Sequence, residues 1–486
     1  MTFDQDLLSI QEARDLATAA RKAQLSWMHA SQEEVDRVCE AMAEAAYQAA
    51  TWLGKAAHEE TGFGVAEHKK LKNEFASRSL WQSIRDVRTV GVVNQDTARG
   101  IVEIAWPMGV VAALVPSTNP TSTAFAKILS AVKARNAIVV APHPSAAHCT
   151  HDAAALMAAA AEGAGAPEGL VSCLQHISLP GTQELMRHKY VALIVATGGG
   201  PMVKAAHSVG KPAYGVGPGN VPAYVDRSAD LEKAARYIVS SKAFDCSTIC
   251  ATEQAVIADR PIAAQLAELM QANGAYFVSE KEAEALRKTL FHPDGAINAA
   301  TVGRPPHYLA AMAGFDIPDS ARVLVARLNE VGKNEPLSRE KLTTVLGWYE
   351  ADGWEAGCDR SIEMIQFGGR GHTQIIHAAD EKVILAFGLE KPVFRILVNT
   401  MGTMGAVGLT TGVMPSMTLG AGGIGGSITG DNITVHHMFN IKRLAYEINE
   451  PPPIVFQPVE KRGGGLSPQD IEQIVQEVVS EVLKTK

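Results

Sequence analysis

Cysteine is scarce in this sequence, and its spacing excludes as much as its number. The six residues, Cys39, Cys149, Cys173, Cys246, Cys250 and Cys358, form no C-x-x-C pair or other metal-ligand pattern, so no metal site is expected. They are too few to staple 486 residues, which points to reduced thiols in a reducing compartment. No window approaches 18 consecutive apolar residues, and the amino terminus, MTFDQDLL, carries acids where a secretory signal carries a basic region. A cytoplasmic protein without a membrane anchor is expected. A basic excess is lacking as well. The net charge of −8 and the pI near 6.0 leave no general field to attract nucleic acid or an anionic membrane.

What is present is the composition of a soluble globular enzyme, 47% hydrophobic and 20% charged. The length exceeds one ordinary core of roughly 100 to 200 residues, so two or three structural units are expected. Residues 1 to about 90 are Ala-rich and charged with helical spacing, as in 33–53, and Gly62 and Gly64 interrupt the pattern. From Gly100 onward, short β-branched runs at 101–104, 110–115, 137–140, 170–175 and 191–195 alternate with helix-like segments such as 151–162. That alternation predicts a parallel sheet with crossover helices. A second α/β stretch has strands near 223–226, 254–257, 323–326, 373–376 and 395–398, with a helix after the cap-like Ser228-Ala-Asp-Leu-Glu. Residues 420–426 are mostly glycine, Pro451 to Pro453 end the compact part, and Lys461-Arg-Gly-Gly-Gly465 reads as a flexible linker.

One helix follows the linker. Ser467-Pro468-Gln469-Asp470 supplies an N-cap, an early proline and an acid at the third position. Ile471, Ile474, Val475, Val478, Val479, Val482 and Leu483 then share one face, with Glu472, Gln473, Gln476, Glu477, Ser480 and Glu481 opposite. Such a stripe docks either on its own domain or on a partner.

Three segments bear chemistry, each with a plain alternative. In Ser241-Lys-Ala-Phe-Asp-Cys-Ser-Thr-Ile-Cys250, a helix ends in a polar stretch with two thiols. Converging backbone N–H groups there favour a thiolate, whereas a small buried cysteine is the commoner fate of the residue. The strand Val110-Val-Ala-Ala-Leu-Val delivers Asn119, between Thr118 and Pro120, to its carboxyl end, where open α/β sheets place ligands. Its amide suits an oxyanion, a donor worth roughly 3 kcal/mol, and Asn-Pro is also an ordinary turn pair. Finally, Val191-Ala-Leu-Ile-Val-Ala-Thr-Gly198-Gly-Gly-Pro is a strand, a glycine turn and a helix start that suits a pyrophosphate, without the full G-x-G-x-x-G. An ordinary βα turn has the same sequence.

Taken together and in this order, Pro116-Ser-Thr-Asn119-Pro, Ala196-Thr-Gly-Gly, Gly215-Val-Gly-Pro-Gly-Asn220, Phe244-Asp245, Cys250 and Gly371-His372-Thr373 resemble the CoA-acylating aldehyde dehydrogenases. These include the propanal and acetaldehyde enzymes of bacterial microcompartments and the aldehyde half of the bifunctional aldehyde-alcohol dehydrogenases. Glu60-Thr61-Gly62, Lys69, Lys72, Asn73 and the late Leu419-Gly-Ala-Gly-Gly are further markers, and the match spans roughly residues 10 to 450. The resemblance implies an aldehyde dehydrogenase-like α/β fold of two Rossmann-type domains, a small oligomerisation β element and a C-terminal peptide helix. Residues 1–219 would bind NAD and CoA, with an oligomerisation strand near 100–107. Residues 220–433 would form the catalytic domain, 434–456 a return segment with a second oligomerisation strand placed at 446–456, 457–466 a linker, and 467–486 a targeting helix. A dimer or tetramer is implied.

For the site, the resemblance implies Cys250 as nucleophile, with Cys246 where relatives often carry asparagine. It implies Asn119 as the oxyanion amide and His372 as an imidazole that assists deprotonation of the CoA thiol. Cofactor positions are Pro116, Ser117, Thr118, His143, Pro144, Thr197, Gly198, Gly199, Gly215, Val216 and Gly217, with Glu340 on the nicotinamide ribose. Two departures from the hydrolytic relatives are informative. Where those carry a water-activating glutamate, this chain has Gly215-Val216-Gly217-Pro218, so an acyl-enzyme would wait for a thiol such as CoA. Where they carry an acid that selects against a 2′-phosphate, this chain has Ala146 after His143-Pro144-Ser145; NAD is favoured by resemblance and NADP stays open.

The reaction implied is oxidation of a short aliphatic aldehyde, propanal or acetaldehyde, to its acyl-CoA inside a microcompartment, with residues 467–486 meeting a shell or core protein. Sulfoacetaldehyde dehydrogenases share the motifs, though no sulfonate-binding arginine stands out. A hydrolytic dehydrogenase and a catalytically idle scaffold are the other readings. The length predicts a chain without the alcohol dehydrogenase half.

Overall fold

The computed structural model describes residues 4–456 and 465–484, so most of the linker expected at 457–466, and the last two residues of the helix segment, lie outside the described residues. The chain divides into two units. The larger takes in the chain up to Gln95 and Glu103–Arg443, and the smaller joins Asp96–Val102 to the chain from Leu444 onward.

In the larger unit the amino-terminal expectation holds: helices run over Gln5–Trp27, Gln32–Gln48, Ala50–Thr61 and Ala66–Glu74. The second shows why these residues form helices. Ser31 and Glu34 make a reciprocal capping box, and Val35, Val38, Cys39, Met42 and Ala46 fall on one buried face. Gly62 ends the third with a left-handed cap, φ 66°. After Glu74 the backbone loosens into a π-helical turn, Phe75–Ser79, of the kind that clusters at functional sites.

The strands are β1 (Val92–Asp96), β2 (Ile101–Pro107), β3 (Val110–Leu114), β4 (Ala137–Ala141), β5 (Val171–Cys173), β6 (Val191–Thr197), β7 (Ala213–Val216), β8 (Val221–Val225), β9 (Glu253–Asp259), β10 (Ala275–Phe277), β11 (Val323–Arg327), β12 (Val345–Ala351), β13 (Gln374–His377), β14 (Ile396–Val398) and β15 (Phe439–Ala445). Five form a parallel sheet in the order β5-β4-β3-β6-β7, and seven a second parallel sheet in the order β10-β11-β12-β9-β8-β13-β14. β3, β4, β8 and β9 are buried along their whole length, as strands covered on both faces must be. The predicted α/β class is therefore observed.

Corrections concern individual strands. β12, flanked by β11 and β9, was not expected. Its run, Val-Leu-Gly-Trp-Tyr, is interrupted by Gly347, where a side chain would meet Leu328 and Ala255 at 2.8 and 3.1 Å, so close packing of strand on strand demands the glycine that disguises it. The last strand is β15, at Phe439–Ala445; residues 446–456 contain no strand. It completes a three-stranded sheet in the order β1-β2-β15.

In the smaller unit the helix Pro468–Lys484 starts where expected, with Ser467 and Asp470 bonded to each other's backbone N–H groups, and it has no buried residue. Among the described residues no helix is long and apolar enough to cross a membrane.

Candidate active site

The site begins where the helix Leu231–Ala243, capped by Asp230, runs out. In the following turn Asp245, Cys246 and Ser247 have φ of 47°, 50° and 66° in succession. Left-handed backbone costs a non-glycine residue roughly 1–2 kcal/mol, so something must hold this turn open.

That hold is Asp245. Its carboxylate is fully buried and accepts from Val65 N (2.7 Å), Lys69 Nζ (3.1 Å) and Thr248 Oγ1 (2.7 Å), and Lys72 Nζ lies on the same oxygen. Burial alone would raise the acid, but the two ammonium groups outweigh it and hold Asp245 at about 2. Burial and the neighbouring Lys69 draw Lys72 down to about 8 against the pull of Asp245. The pattern Lys69-x-x-Lys72-Asn73 places three polar residues on one helix face, all buried.

The same network reaches Asn119. At the end of β3 the chain passes through Pro116, Ser117 and Thr118, and Asn119 begins the helix Pro120–Lys133 without a side-chain capping bond. Its Oδ1 accepts from Lys72 Nζ, and its Nδ2 donates to Thr248 O at 3.0 Å and to Thr118 Oγ1 at 3.2 Å. Lys69 Nζ holds Thr118 O at 3.1 Å. The Asn119 amide is thereby placed against the backbone two residues before Cys250.

Cys250 is half-buried, and its Sγ lies 3.2 Å from His372 Nε2. His372 is buried in the segment leading into β13, with Nδ1 2.9 Å from Thr373 Oγ1. Arg395 braces this segment from the start of β14: its guanidinium donates to His372 O (3.0 Å), Thr373 Oγ1 (3.4 Å) and Asn432 Oδ1 (2.9 Å). Gly219 packs against both partners, since a side chain there would meet Cys250 O at 2.3 Å and His372 Nδ1 at 3.0 Å. Its N–H donates to Glu340 Oε1 at 2.9 Å, which brings Glu340 to the same loop cluster.

These neighbours set the protonation state. Burial and the Glu340 carboxyl push the Cys250 thiol up to about 12, while Arg395 pulls the other way. Burial and Arg395 drive the His372 imidazole down to about 3, and burial lifts Glu340 to about 7. Thiol and imidazole are thus both neutral at rest. A raised thiol pKa delays the thiolate, so the rate at which iodoacetamide alkylates Cys250 in the ligand-free protein should still be climbing at about pH 10.5, past the region near pH 10 where a free cysteine of pKa about 8.5 has levelled off. A plateau below pH 8, read from the pH dependence of alkylation, would contradict this environment.

Cys246 is separated from Cys250 by its surroundings. It is buried, and burial with the Asp245 charge pushes its thiol to about 12 against the pull of Lys69, Lys72 and Arg304, and among the described residues no imidazole is hydrogen-bonded to its sulfur.

The expected cofactor positions other than Glu340 lie at the carboxyl ends of the five-stranded sheet. Thr197 ends β6, Gly198 and Gly199 lead from it into the helix Gly200–His207, and Thr197 Oγ1 is 3.2 Å from Thr418 Oγ1. A side chain at Gly200 would meet nothing within 4 Å and one at Gly199 only Pro201 at an ordinary contact distance of 3.8 Å, and neither residue has a left-handed φ. The protein itself makes no demand for glycine there, while bare backbone at a helix start suits an incoming pyrophosphate. His143 and Pro144 follow β4 and are exposed; His143 Nδ1 accepts from Ser145 N. Gly215 and Val216 are buried at the end of β7, and Gly217 follows. A side chain at Gly215 would meet Val203 and His207 at 2.6 and 2.5 Å, so the space in which a water-activating glutamate would begin is closed.

A cavity of about 250 Å³ abuts the cluster, lined by Leu71, Phe75, Phe244, Ile249, Met404 and Met417 among others. Ile249 immediately precedes Cys250, and Lys72, which bonds Asn119, also faces it. The two cations on its wall are engaged: Lys72 as above, and Arg78 over the Tyr47 ring at 3.2 Å with Glu44 at 3.7 Å.

Asp245, Thr248, Gly219 and Arg395 carry the geometry, and sequence reasoning gave none of them a role. The available signals were slight: an acid beside a thiol, and a lone arginine opening an apolar run. No group of three or more His, Cys, Asp or Glu among the described residues is arranged to hold a metal ion.

Comparison with known proteins agrees with this arrangement. The model of the aldehyde dehydrogenase family matches residues 6–284. Aldehyde-alcohol dehydrogenase 2 of Entamoeba histolytica is 41% identical over 443 residues, 88% of this chain and 51% of that protein, so the chain spans about half the length of such relatives. An acetylating aldehyde dehydrogenase from Geobacillus thermoglucosidasius superposes with a TM-score of 0.92 at 49% identity, covering 93% of this chain and all of that one. A propionaldehyde dehydrogenase from the fucose utilisation microcompartment of Clostridium phytofermentans gives 0.81 at 26% identity, covering 88% and 96%. With a cysteine, a neighbouring amide and a bare glycine turn set on two parallel sheets, the chain belongs to the aldehyde dehydrogenase family.

Proposed function

We propose that the protein is a CoA-acylating aldehyde dehydrogenase that oxidises a short aliphatic aldehyde, propanal or acetaldehyde, to its acyl-CoA with NAD. One observation carries this reading. Cys250 stands against His372 with the Asn119 amide close by, while the place of a hydrolytic glutamate is Gly215, walled in by Val203 and His207.

The steps follow from the resting state. Because the thiol and the imidazole are both neutral, the S–H proton passes to His372 Nε2 as Sγ bonds to the carbonyl carbon, and charge appears on the carbonyl oxygen. Nδ2 of Asn119 turns its weaker bond, the one to Thr118 Oγ1, toward that oxygen. A bound nicotinamide would supply the hydride acceptor for the carbon that Sγ has joined. Glu340 and the turn at Thr197, Gly198 and Gly199 hold the dinucleotide. The product on the protein is a thioester at Cys250. With no carboxylate at 215 to activate water, the thioester persists while His372 releases its proton to solvent; the CoA thiol then passes its proton to His372 as its sulfur bonds to the thioester carbon, and the Cys250 sulfur leaves and takes that proton back.

The cavity supports an apolar substrate. Its lining is mostly aliphatic and aromatic, its polar members being Lys72, Glu74, Arg78, Ser79 and Thr403, and both cations on its wall already have partners, which disfavours a sulfonate or carboxylate tail. The relatives support the acylating reaction: the Geobacillus thermoglucosidasius enzyme is described as acetylating, and the Clostridium phytofermentans enzyme belongs to a microcompartment. The fully exposed amphipathic helix Pro468–Lys484 fits a peptide that meets a microcompartment shell or core protein, and the β1-β2-β15 sheet fits a strand-mediated dimer or tetramer.

A panel of acetaldehyde, propanal, butanal, sulfoacetaldehyde and succinate semialdehyde, each with and without CoA, tests the reading. Sustained NADH formation should require CoA. From acetaldehyde to propanal kcat/KM should rise about fourfold, the worth of roughly 0.8 kcal/mol for one buried CH₂, and the anionic aldehydes should fall at least about tenfold below propanal. Sustained NADH without CoA would establish hydrolysis instead. Preference for an anionic aldehyde would overturn the substrate class.

A further inference from the structure

The Asn119 amide has two near-isosteric orientations, and only the one with Nδ2 toward the Cys250 loop serves an oxyanion. We propose that Lys72 is a positioning residue for aldehyde addition: anchored on Asp245, it fixes the Asn119 amide so that the N–H groups, and not the carbonyl oxygen, face the reacting loop. This role rests on the reading of Asn119 as the oxyanion donor.

The geometry supplies the reason. An ammonium has donors only, so the atom of Asn119 that faces Lys72 Nζ must be the acceptor, Oδ1. A backbone carbonyl has lone pairs only, so the atom that faces Thr248 O must be Nδ2. The amide is held between two partners of opposite demand. Without Lys72, only Thr248 O would set the orientation, and a flipped amide would turn its lone pairs on the developing oxyanion.

Lys72 has little freedom itself. It is buried, and its Nζ also meets the Asp245 carboxylate and Thr248 Oγ1, at 3.2 Å for the latter. Lys69 occupies the remaining approach to the same carboxylate oxygen and ties down Thr118 O. The pair thus carries two ammonium groups on one carboxylate beneath the amide, which also polarises its N–H bonds toward stronger donation. An apolar side chain at 72 would continue the wall of the adjoining cavity, and a buried ion pair is often no more stabilising than packed apolar groups of the same volume. An ammonium at this place fits a task at Asn119 better than a task in packing.

A double-mutant cycle on the full-length enzyme separates positioning from structure, with the NADH burst from propanal in the absence of CoA as the readout. Lys72→Met should slow the burst about 10- to 100-fold, the loss of one hydrogen bond to a charged group, with the KM for NAD and for CoA unchanged within twofold. In an Asn119→Ala background the same change should cost less than about twofold, because the amide it orients is gone. Lys72→Arg, which keeps a cation with several donors, should recover the burst to within about threefold. Equal losses in both backgrounds, or a full burst in Lys72→Met, would overturn the role. Should Lys72→Met not accumulate as folded protein, Lys72→Gln, too short to span Asp245 and Asn119, carries the same cycle. A wild-type enzyme with no aldehyde-dependent burst would contradict the proposed activity, whereas a normal wild-type burst with additive losses contradicts Lys72 alone.

Discussion

Replacing Cys250 by serine should lower CoA-dependent aldehyde oxidation by about 10⁴-fold or more, while Cys246→Ser should stay within about twofold of the wild type. Serine keeps the size and the hydrogen bond to His372, but His372, held near 3, is a weak base, and a hydroxyl gives up its proton far less readily than a thiol. Cys246 lies four residues earlier on the same loop, equally acid-poor but buried and without an imidazole. Steady-state NADH formation at saturating propanal, NAD and CoA checks both variants. Retained activity in Cys250→Ser would leave the fold with an idle thiol and favour the scaffold reading.

Asn119→Ala should reduce kcat by about 10²- to 10³-fold with little change in KM for NAD or CoA, the loss typical of a single oxyanion donor. The expected structural cost is small, because Asn119 begins its helix without a side-chain capping bond and Pro120 supplies the first turn. Alkylation of Cys250 by iodoacetamide, which creates no oxyanion, supplies the control. It should proceed within about twofold of the wild-type rate, and a parallel collapse of both rates would assign Asn119 to the architecture of the loop.

Much of this site was legible before any coordinates, and the reasons differ by residue. Cys250, Asn119 and His372 are adjacent to strands or helix ends with clear local signatures, and their order along the chain carried the family resemblance. The parallel strands were legible because burial on both faces yields short continuous β-branched runs, as in β3 and β4. β12 escaped because strand packing requires Gly347 inside it, and a glycine inside an apolar run reads as a turn.

The rule that ligands gather at the carboxyl ends of parallel strands held for only half of the site. Asn119, Gly198 and Gly217 follow β3, β6 and β7, but Gly219, Cys250, Glu340 and His372 come before β8, β9, β12 and β13. The two sheets present opposite ends to one another's residues, and no local pattern announces that. The Asp245 hub was illegible for a similar reason. Its partners, Val65, Lys69 and Lys72, are more than 170 positions away in the sequence, so the buried charge could be matched to its counter-ions only once the fold had joined them.

The most direct measurement is the mass of the Cys250 peptide after the protein has met propanal and NAD without CoA. One equivalent of NADH per active site should form in a burst and stop, with a propionyl group on Cys250 that later addition of CoA removes as propionyl-CoA. Continued NADH formation with free propionate and no adduct, or an adduct on Cys246, would contradict a thioester held on Cys250 for transfer to a thiol.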